Sequence, residues 1–403
     1  MTAVFDDLQA ALESKETCSE LDLVLEYGDS FPTELVALTE LETLRVVCPQ
    51  GTVQLPPWIG RMRGLKTLEI DGELEEIPES LGDLDTLRRL VLRSSGAFPP
   101  VIAKLTRLRD LELEVSTVET APTALAELNR LEVLRLRVSR LEQIPMGLLS
   151  LPNLRVLVIE AVSSKQPPEG LPAALPGLRH LEELAISNWR MSSLPKALLK
   201  LTELRSLTLR RCGVDHLPNG WVSLARLRKL DLSENRLATL PPAIDGLVSL
   251  RELVLGQNPI YELPPQIGAL SHLERLDVDG SRMRNLPADI GRLHSLKILS
   301  VSDTRSLVEL PDSGNRLSKL TNVDISKNNI HTVPGWLFEL PRLVSLRLDG
   351  NPISSLPESL YSNDHLSRLS VYGIPLRDDV KRLIDRFRKA RAEVNRPVEI
   401  FGV

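Results

Sequence analysis

Sixteen times along a chain of 403 residues the pattern L-x-x-L-x-L, or a close variant of it, returns. Aligned on the middle residue, the copies have anchors at Leu21, Leu44, Leu68, Leu90, Leu111, Leu134, Leu157, Leu184, Leu207, Leu230, Leu253, Leu276, Leu299, Val323, Leu346 and Leu369. Successive anchors lie 21 to 24 residues apart, with one interval of 27 between Leu157 and Leu184. A period of this length means that one supersecondary unit is copied and that the copies stack, because a single unit cannot bury its own leucines. No linker and no second globular domain are left to place.

Within a repeat, the alternation L-x-L sends two leucines inward and their neighbours outward, which is a short strand with one buried face. About ten residues after most anchors an apolar residue precedes proline, as in Leu55-Pro56, Ile77-Pro78, Leu240-Pro241 and Leu356-Pro357. Proline ends the strand, and the pattern Ile267-Gly268-Ala269-Leu270 then returns apolar side chains to the core on a short helical turn. Sixteen such strands about 4.8 Å apart make a parallel ribbon with an inner arc of about 70 Å.

Segments such as LRKLDLSENRLATLPPAIDGL (227–247) and LRELVLGQNPIYELPPQIGAL (250–270) resemble leucine-rich repeats. The 23-residue form with L-P-x-x-I-G-x-L is similar to the intracellular Ras-binding, Scribble-like and plant Ras-group repeats and to bacterial proteins of the same type. The resemblance implies an α/β leucine-rich repeat solenoid, a curved arc with a parallel β-sheet on its concave face and irregular or short helical segments on its convex face. It also implies a protein-binding scaffold. The family's turn asparagine is present at Asn235, Asn258, Asn328 and Asn351, and the same column elsewhere holds Ser95, Ser116, Ser139, Trp189, Cys212, Ser281 or Thr304. Serine, threonine and cysteine can partly replace its hydrogen bonds, whereas Trp189 predicts a disturbed turn.

A stack of repeats needs covers at its ends. Val4, Phe5, Leu8 and Leu12 fall on one helical face before the first strand, and Val380, Leu383, Ile384 and Phe387 do so after the last. The expected organisation is one repeat domain over 1–403, with a cap helix in 1–17, sixteen repeats in 18–376, and a cap helix and tail in 377–403. The terminal helix is also basic, with Arg377, Lys381, Arg382, Arg386, Arg388, Lys389 and Arg391 around its apolar stripe. Such a helix either caps the solenoid or recruits the protein itself, as a membrane-associated adaptor, to an anionic surface.

Chemistry is sparse. Phosphate-binding glycine loops and the G-x-S-x-G nucleophile turn do not occur. His180, His272 and His365 occupy the same phase of repeats four apart, hence about 19 Å from one another, and His216, His294 and His331 have no carboxylate cluster beside them. Cys18, Cys48 and Cys212 are odd in number and widely spaced, which fits free thiols better than a disulfide frame or zinc site. No catalytic residue, cofactor or metal is expected, and the chain is not expected to be an enzyme. With 49 basic and 54 acidic residues the formal charge is −5, which argues against nucleic acid as the default partner. No apolar run is long enough to span a membrane and the first twelve residues lack a secretory pattern, so a cytoplasmic protein is expected.

What remains is surface. Residues at −1, +1 and +3 from each anchor point outward, where repeat proteins of this shape bind. Arg89, Val91 and Arg93 flank Asp110, Glu112 and Glu114, which flank Val133, Arg135 and Arg137, so neighbouring strands are expected to neutralise one another. Val133, Val156, Val158 and Ala185 form an apolar patch beside the 27-residue interval, with the proline-bearing segment 162–177 as a loop and Trp189 as a candidate aromatic anchor. Asp231, Glu252, Asp277, Asp279, Asp324 and Asp349 outnumber Lys229, Arg275, Arg347 and Arg368 farther on. The partner-binding set is thus Val133, Val156, Val158, Ala185 and Trp189 as an apolar anchor, with Asp231, Asp277, Asp279 and Asp324 steering a basic partner. The partner expected is another protein, for which the resemblance suggests a small Ras-like GTPase or another signalling protein.

Overall fold

The computed structural model describes every residue except 1–2, 27–28, 119–124, 141–147, 149, 163–174, 192, 376, 395–396 and 403. The chain divides into two compact units, Met1–Arg190 and Met191–Val403. The first contains β1 (Ala3–Phe5), β2 (Cys18–Val24), β3 (Thr43–Val53), β4 (Thr67–Leu74), β5 (Arg89–Ser94), β6 (Asp110–Thr117), β7 (Val133–Arg140), β8 (Val156–Ala161) and β9 (Glu183–Ser187). Each strand pairs in parallel with the next, and the anchors meet in register from Leu21↔Leu44 through Leu157↔Leu184. The second unit repeats the arrangement with β10 (Ser206–Arg210), β11 (Lys229–Asp231), β12 (Glu252–Val254), β13 (Arg275–Asp277), β14 (Ile298–Ser300), β15 (Asn322–Asp324), β16 (Ser345–Arg347), β17 (Arg368–Ser370) and β18 (Glu399–Phe401). All sixteen anchors lie on strands and are buried. The fold is the expected leucine-rich repeat solenoid.

The outer layer is made of 3-10 turns rather than α-helix. Eleven described turns begin directly after a proline, with proline φ between −62° and −78°. Proline suits that position because its fixed φ leads into the turn and the N–H it lacks would have no partner there. Most turns drop one or two side chains into the core, among them Ile59, Ile244, Ile267 and Ile290, while Asp312–Arg316 buries only Gly314. Glycine follows the isoleucine because the turns touch: a Cβ on Gly291 would stand 2.3 Å from the Ser313 carbonyl oxygen, and one on Gly268 2.7 Å from that of Asp289.

The units differ in how their strands end. In β3 to β8 the inward sequence continues past the second apolar residue to Cys48, Gly72, Ser94, Val115, Val138 and Ala161, all buried, so the pleat runs on. In the second unit the residue four after the anchor turns left-handed, with φ of 51° to 65° at Arg211, Glu234, Gln257, Gly280, Asp303, Lys327, Gly350 and Gly373. The next side chain then points inward, and it is asparagine in four repeats. Asn258 shows the outcome: its Nδ2 donates to the carbonyls of Leu232 and Leu255 at 2.8 Å each, and its Oδ1 accepts the Leu237 N–H at 3.0 Å. Ser95 and Ser139 are consequently exposed and replace no asparagine. Thr304 does replace one, accepting from the Leu307 N–H at 3.0 Å while donating to Asn328 Oδ1 at 2.7 Å.

Both ends correct the expectation of simple helical caps. In place of one helix over 1–17, residues Ala3–Phe5 form β1 on the edge of β2, followed by α1 (Leu8–Glu13), whose N-cap Asp7 accepts from the N–H groups of Gln9 and Ala10. Val4 is 63% exposed because a strand alternates faces where a helix would have turned it inward. At the other end α2 (Asp378–Glu393) buries Val380, Ile384 and Phe387 as expected, and β18 then adds a strand beyond β17. Arg391, counted from sequence with the basic surface, is buried; its guanidinium donates to the Asp364 carbonyl at 2.8 Å and closes that turn.

Candidate functional site

Parallel strands with one buried face leave the other as an ordered surface of side chains in rows, one per repeat. On Met1–Arg190 two of these rows are strings of alternating charge. One runs from Glu20 and Asp22 to Arg45 (3.4 and 3.1 Å), on to Glu69 (3.7 Å), Arg89 (2.6 Å) and Asp110, and from there to Arg135 (3.5 Å). The other runs from Asp71 to Arg93, Glu114 (3.5 Å), Arg137 (3.6 Å) and Glu160 (3.7 Å). The expected self-neutralisation is therefore present. Each exposed pair contributes about 0.2–1 kcal/mol, so the strings hold side chains in place more than they stabilise the fold. A depression of about 730 Å³ lies along the second string, bordered by Val47, Asp71, Arg93, Glu114, Arg137 and Ser139. It exists because the strands here run past the point where the second unit turns.

The apolar patch follows these strings. Register places Val133 beside Val156, and Val158 beside Ala185, on β7, β8 and β9. All four are partly exposed, and they form one group on adjacent strands. Trp189 does not belong with them: it is 3% exposed, because Asn188 takes the left-handed turn at φ 59° and swings the next side chain into the asparagine position inside the fold. The indole fills core volume and cannot serve as an interface anchor. The segment expected to form a neighbouring loop, 162–177, lies for residues 163–174 outside the described residues.

On Met191–Val403 the four aspartates expected to steer a partner are occupied locally. Asp231 and Asp324 each accept from the backbone N–H and hydroxyl of the serine two residues on, at 2.6–3.0 Å. Asp279 accepts from Ser300 Oγ at 2.8 Å and from the Ser302 N–H at 2.6 Å, fastening its repeat to the next. Burial raises its carboxyl above the usual range, against the hydrogen bonds from Ser302 and Ser300. Asp277 pairs with Arg275 at 2.9 Å and is 13% exposed against 42% for the arginine. The acidic side chains are short and drawn down onto the sheet, while the basic ones stand above it, so the steering assignment of Asp231, Asp277, Asp279 and Asp324 is corrected: these carboxylates hold turns.

Sequence reading missed the row two residues before each anchor. Its carbonyls accept from the same row of the next repeat, as in Arg251 N–H to Arg228 O and Glu274 N–H to Arg251 O at 2.8 Å, so these side chains stack along the strand starts. The row holds Arg228, Arg251, Glu274 and Lys297, with Lys229 and Arg275 beside it. The signal was present as a basic column at −2, just outside the −1, +1 and +3 positions read as surface.

Among the described residues no group of three histidine, cysteine or acidic side chains could hold a metal ion, and no helix is long and apolar enough to cross a membrane. All three cysteines are buried and unbridged.

A leucine-rich repeat region model matches residues 23–196 and 242–312, more than half of the chain, and a second leucine-rich repeat model matches 202–260 and 294–353. No match was found among curated proteins. Among solved structures, a leucine-rich repeat protein of Leptospira interrogans is 23% identical with a TM-score of 0.83, over 99% of this chain and all of that one. Toll of Drosophila, in its complex with Spatzle, is 19% identical with a TM-score of 0.66, over 92% of this chain and 56% of that one. The ectodomain of the Arabidopsis receptor kinase HAESA, in complex with an IDA peptide hormone, is 22% identical with a TM-score of 0.60, over 93% and 69%. The repeat register, the asparagine turns and the matched models together establish that the chain belongs to the leucine-rich repeat family.

Proposed function

We propose that the protein is a non-catalytic scaffold that holds a folded protein partner on the open face of its strands. The observation that carries this reading is the group Val133, Val156, Val158 and Ala185: on a face where neighbouring charges neutralise one another, these apolar side chains lie on adjacent strands and are partly exposed to water. Exposed apolar groups rimmed by polar ones are the usual composition of an interface centre. Toll and HAESA, similar in fold, were solved with a protein and a peptide hormone bound, which supports the class of ligand and nothing finer. A small Ras-like GTPase is the partner class suggested by the 23-residue repeat form.

Recruitment to a membrane through the basic terminal helix is the weaker reading, because Val380, Ile384 and Phe387 are spent on the last repeat and leave no apolar stripe to enter a bilayer. The test is capture of a partner from native lysate by the intact chain and by Val158→Asp, with circular dichroism confirming the fold of both. A protein retained by the first and lost with the second supports the apolar row as its seat; equal retention moves the seat elsewhere. Purified GTPases then test the finer assignment directly.

A further inference from the structure

The chain carries a net charge of −5, yet the strand entrances of β11 to β14 present the opposite sign. Arg228, Lys229, Arg251, Arg275 and Lys297 are gathered there with two carboxylates, Glu252 and Glu274, at the same two positions of the repeat. Glu274 is shared: Arg251 holds it at 2.9 Å and Lys297 at 2.6 Å, so two cations divide one anion. Arg275 is matched by Asp277, and Asp231 is turned onto Ser233. Arg228 and Lys229 have no ion pair among the described residues and are exposed. The cations stand out, Arg251 at 53% and Lys297 at 50% exposure against 31% for Glu274. Lys229, Arg251, Arg275 and Lys297 border a depression of about 470 Å³ that also includes Asp231, Glu252, Glu274, Val254 and Ile298, and Arg228 precedes Lys229 at its edge.

We propose that this depression docks an extended acidic segment of a protein partner. Charge complementarity selects the sign, and spacing selects the form. From β11 to β14 are three inter-strand steps of about 4.8 Å, roughly 14 Å. Carboxylates at alternate positions of an extended segment, i, i+2 and i+4, span nearly the same length at about 3.4 Å per residue. A segment crossing the strands thus places its first acid at Arg228 and Lys229 and its last at Lys297, with the middle one over Arg251 and Arg275. Side chains of the opposite parity face Val254 and Ile298 or the solvent. The site is independent of the apolar row of Met1–Arg190, and either can fail without the other.

The experiment uses the full chain and a fluorescein-labelled peptide, Glu-Ala-Glu-Ala-Glu with neutral flanks, read by anisotropy. Binding is expected to weaken as salt is raised, to be absent for the matching lysine peptide, and to drop by about tenfold or more in the double variant Arg228→Glu with Lys229→Glu, a loss of about 1.4 kcal/mol. Lys229→Gln, a milder change, should give a partial loss, and Val158→Asp none. No binding of the acidic peptide, binding indifferent to both entrance variants, or equal binding of a short single-stranded oligonucleotide overturns the proposal, the last by showing an undiscriminating polyanion surface.

Discussion

Asparagine after a left-handed residue ties neighbouring repeats of the second unit together, because its amide bonds backbone groups that no strand or helix pairs, three of them at Asn258. Asn258 is 1% exposed, and Asn258→Ala would orphan the Leu237 N–H and the Leu255 carbonyl, while the Leu232 carbonyl keeps its bond from Asn235 Nδ2. A loss of about 2–3 kcal/mol in urea unfolding is expected. Ser281 occupies the equivalent position one repeat later, buried, with its hydroxyl unbonded. Ser281→Asn should therefore raise stability by about 1 kcal/mol, and no change in the unfolding midpoint would show that the turn there is satisfied otherwise. Asp279 adds a pH dependence. Its folded carboxyl is held above the ordinary value by burial, so the fold binds its proton more tightly than the unfolded chain. The stability this contributes is complete at pH below the ordinary Asp range and is lost as pH rises through the folded value. Asp279→Asn should flatten that part of the stability profile, and equal slopes for both proteins between pH 3 and neutrality, about where an Asp titrates, would contradict it.

At the scale of the strand and its turn, one position separates the two halves of the chain. Four residues past the anchor, Val115 and Val138 keep the backbone extended, since a β-branched residue does not tolerate positive φ; Gln257, Glu234 and Lys327 permit the turn. Gln257→Val is expected to cost about 1–2 kcal/mol, while Gln257→Gly should be near neutral; equal effects would mean that φ is not the constraint. The terminal helix gives a second test. Phe387 is wholly buried against the last repeat, so Phe387→Asp should raise hydrogen exchange through β17 and its turn, and unchanged exchange would show that the helix covers nothing. The repeat, its register and the buried anchors were all legible, because apolar periodicity reports burial directly. The two classes of turn were written in the same column, as Val115 against Gln257, yet were read as one asparagine column with substitutes. The terminal strands were not legible: Ala3–Phe5 and Glu399–Phe401 are three-residue segments whose pairing is set by the open edges they meet and not by any pattern of their own. Trp189 misled for a related reason, since composition marks an aromatic as an anchor and only the backbone at Asn188 decides that it points inward.

At the scale of the whole chain, strings of opposite charge neutralise one another along the strands of Met1–Arg190, whereas Arg228 and Lys229 have no ion pair among the described residues. The candidate sites were only partly legible for that reason: the apolar row could be read from identity and register, whereas the sign of the second surface depended on which charges lie down against Ser233 and Ser326 and which stand up. Ladders of this kind also have a mechanical reading. Asn235, Asn258, Asn328 and Asn351 each bond a carbonyl of the preceding repeat as well as their own, acting as clasps in series, and the series is open at Ser281. Under tension applied across Met191–Val403 the clasp at Ser281 should part first, and each 23-residue repeat that peels away should release about 80 Å of contour length. A force trace would then show even teeth, the weakest assignable to the β13 repeat and strengthened by Ser281→Asn, so that this stack of repeats would yield stepwise to a pull where an ordinary globular domain gives way at once.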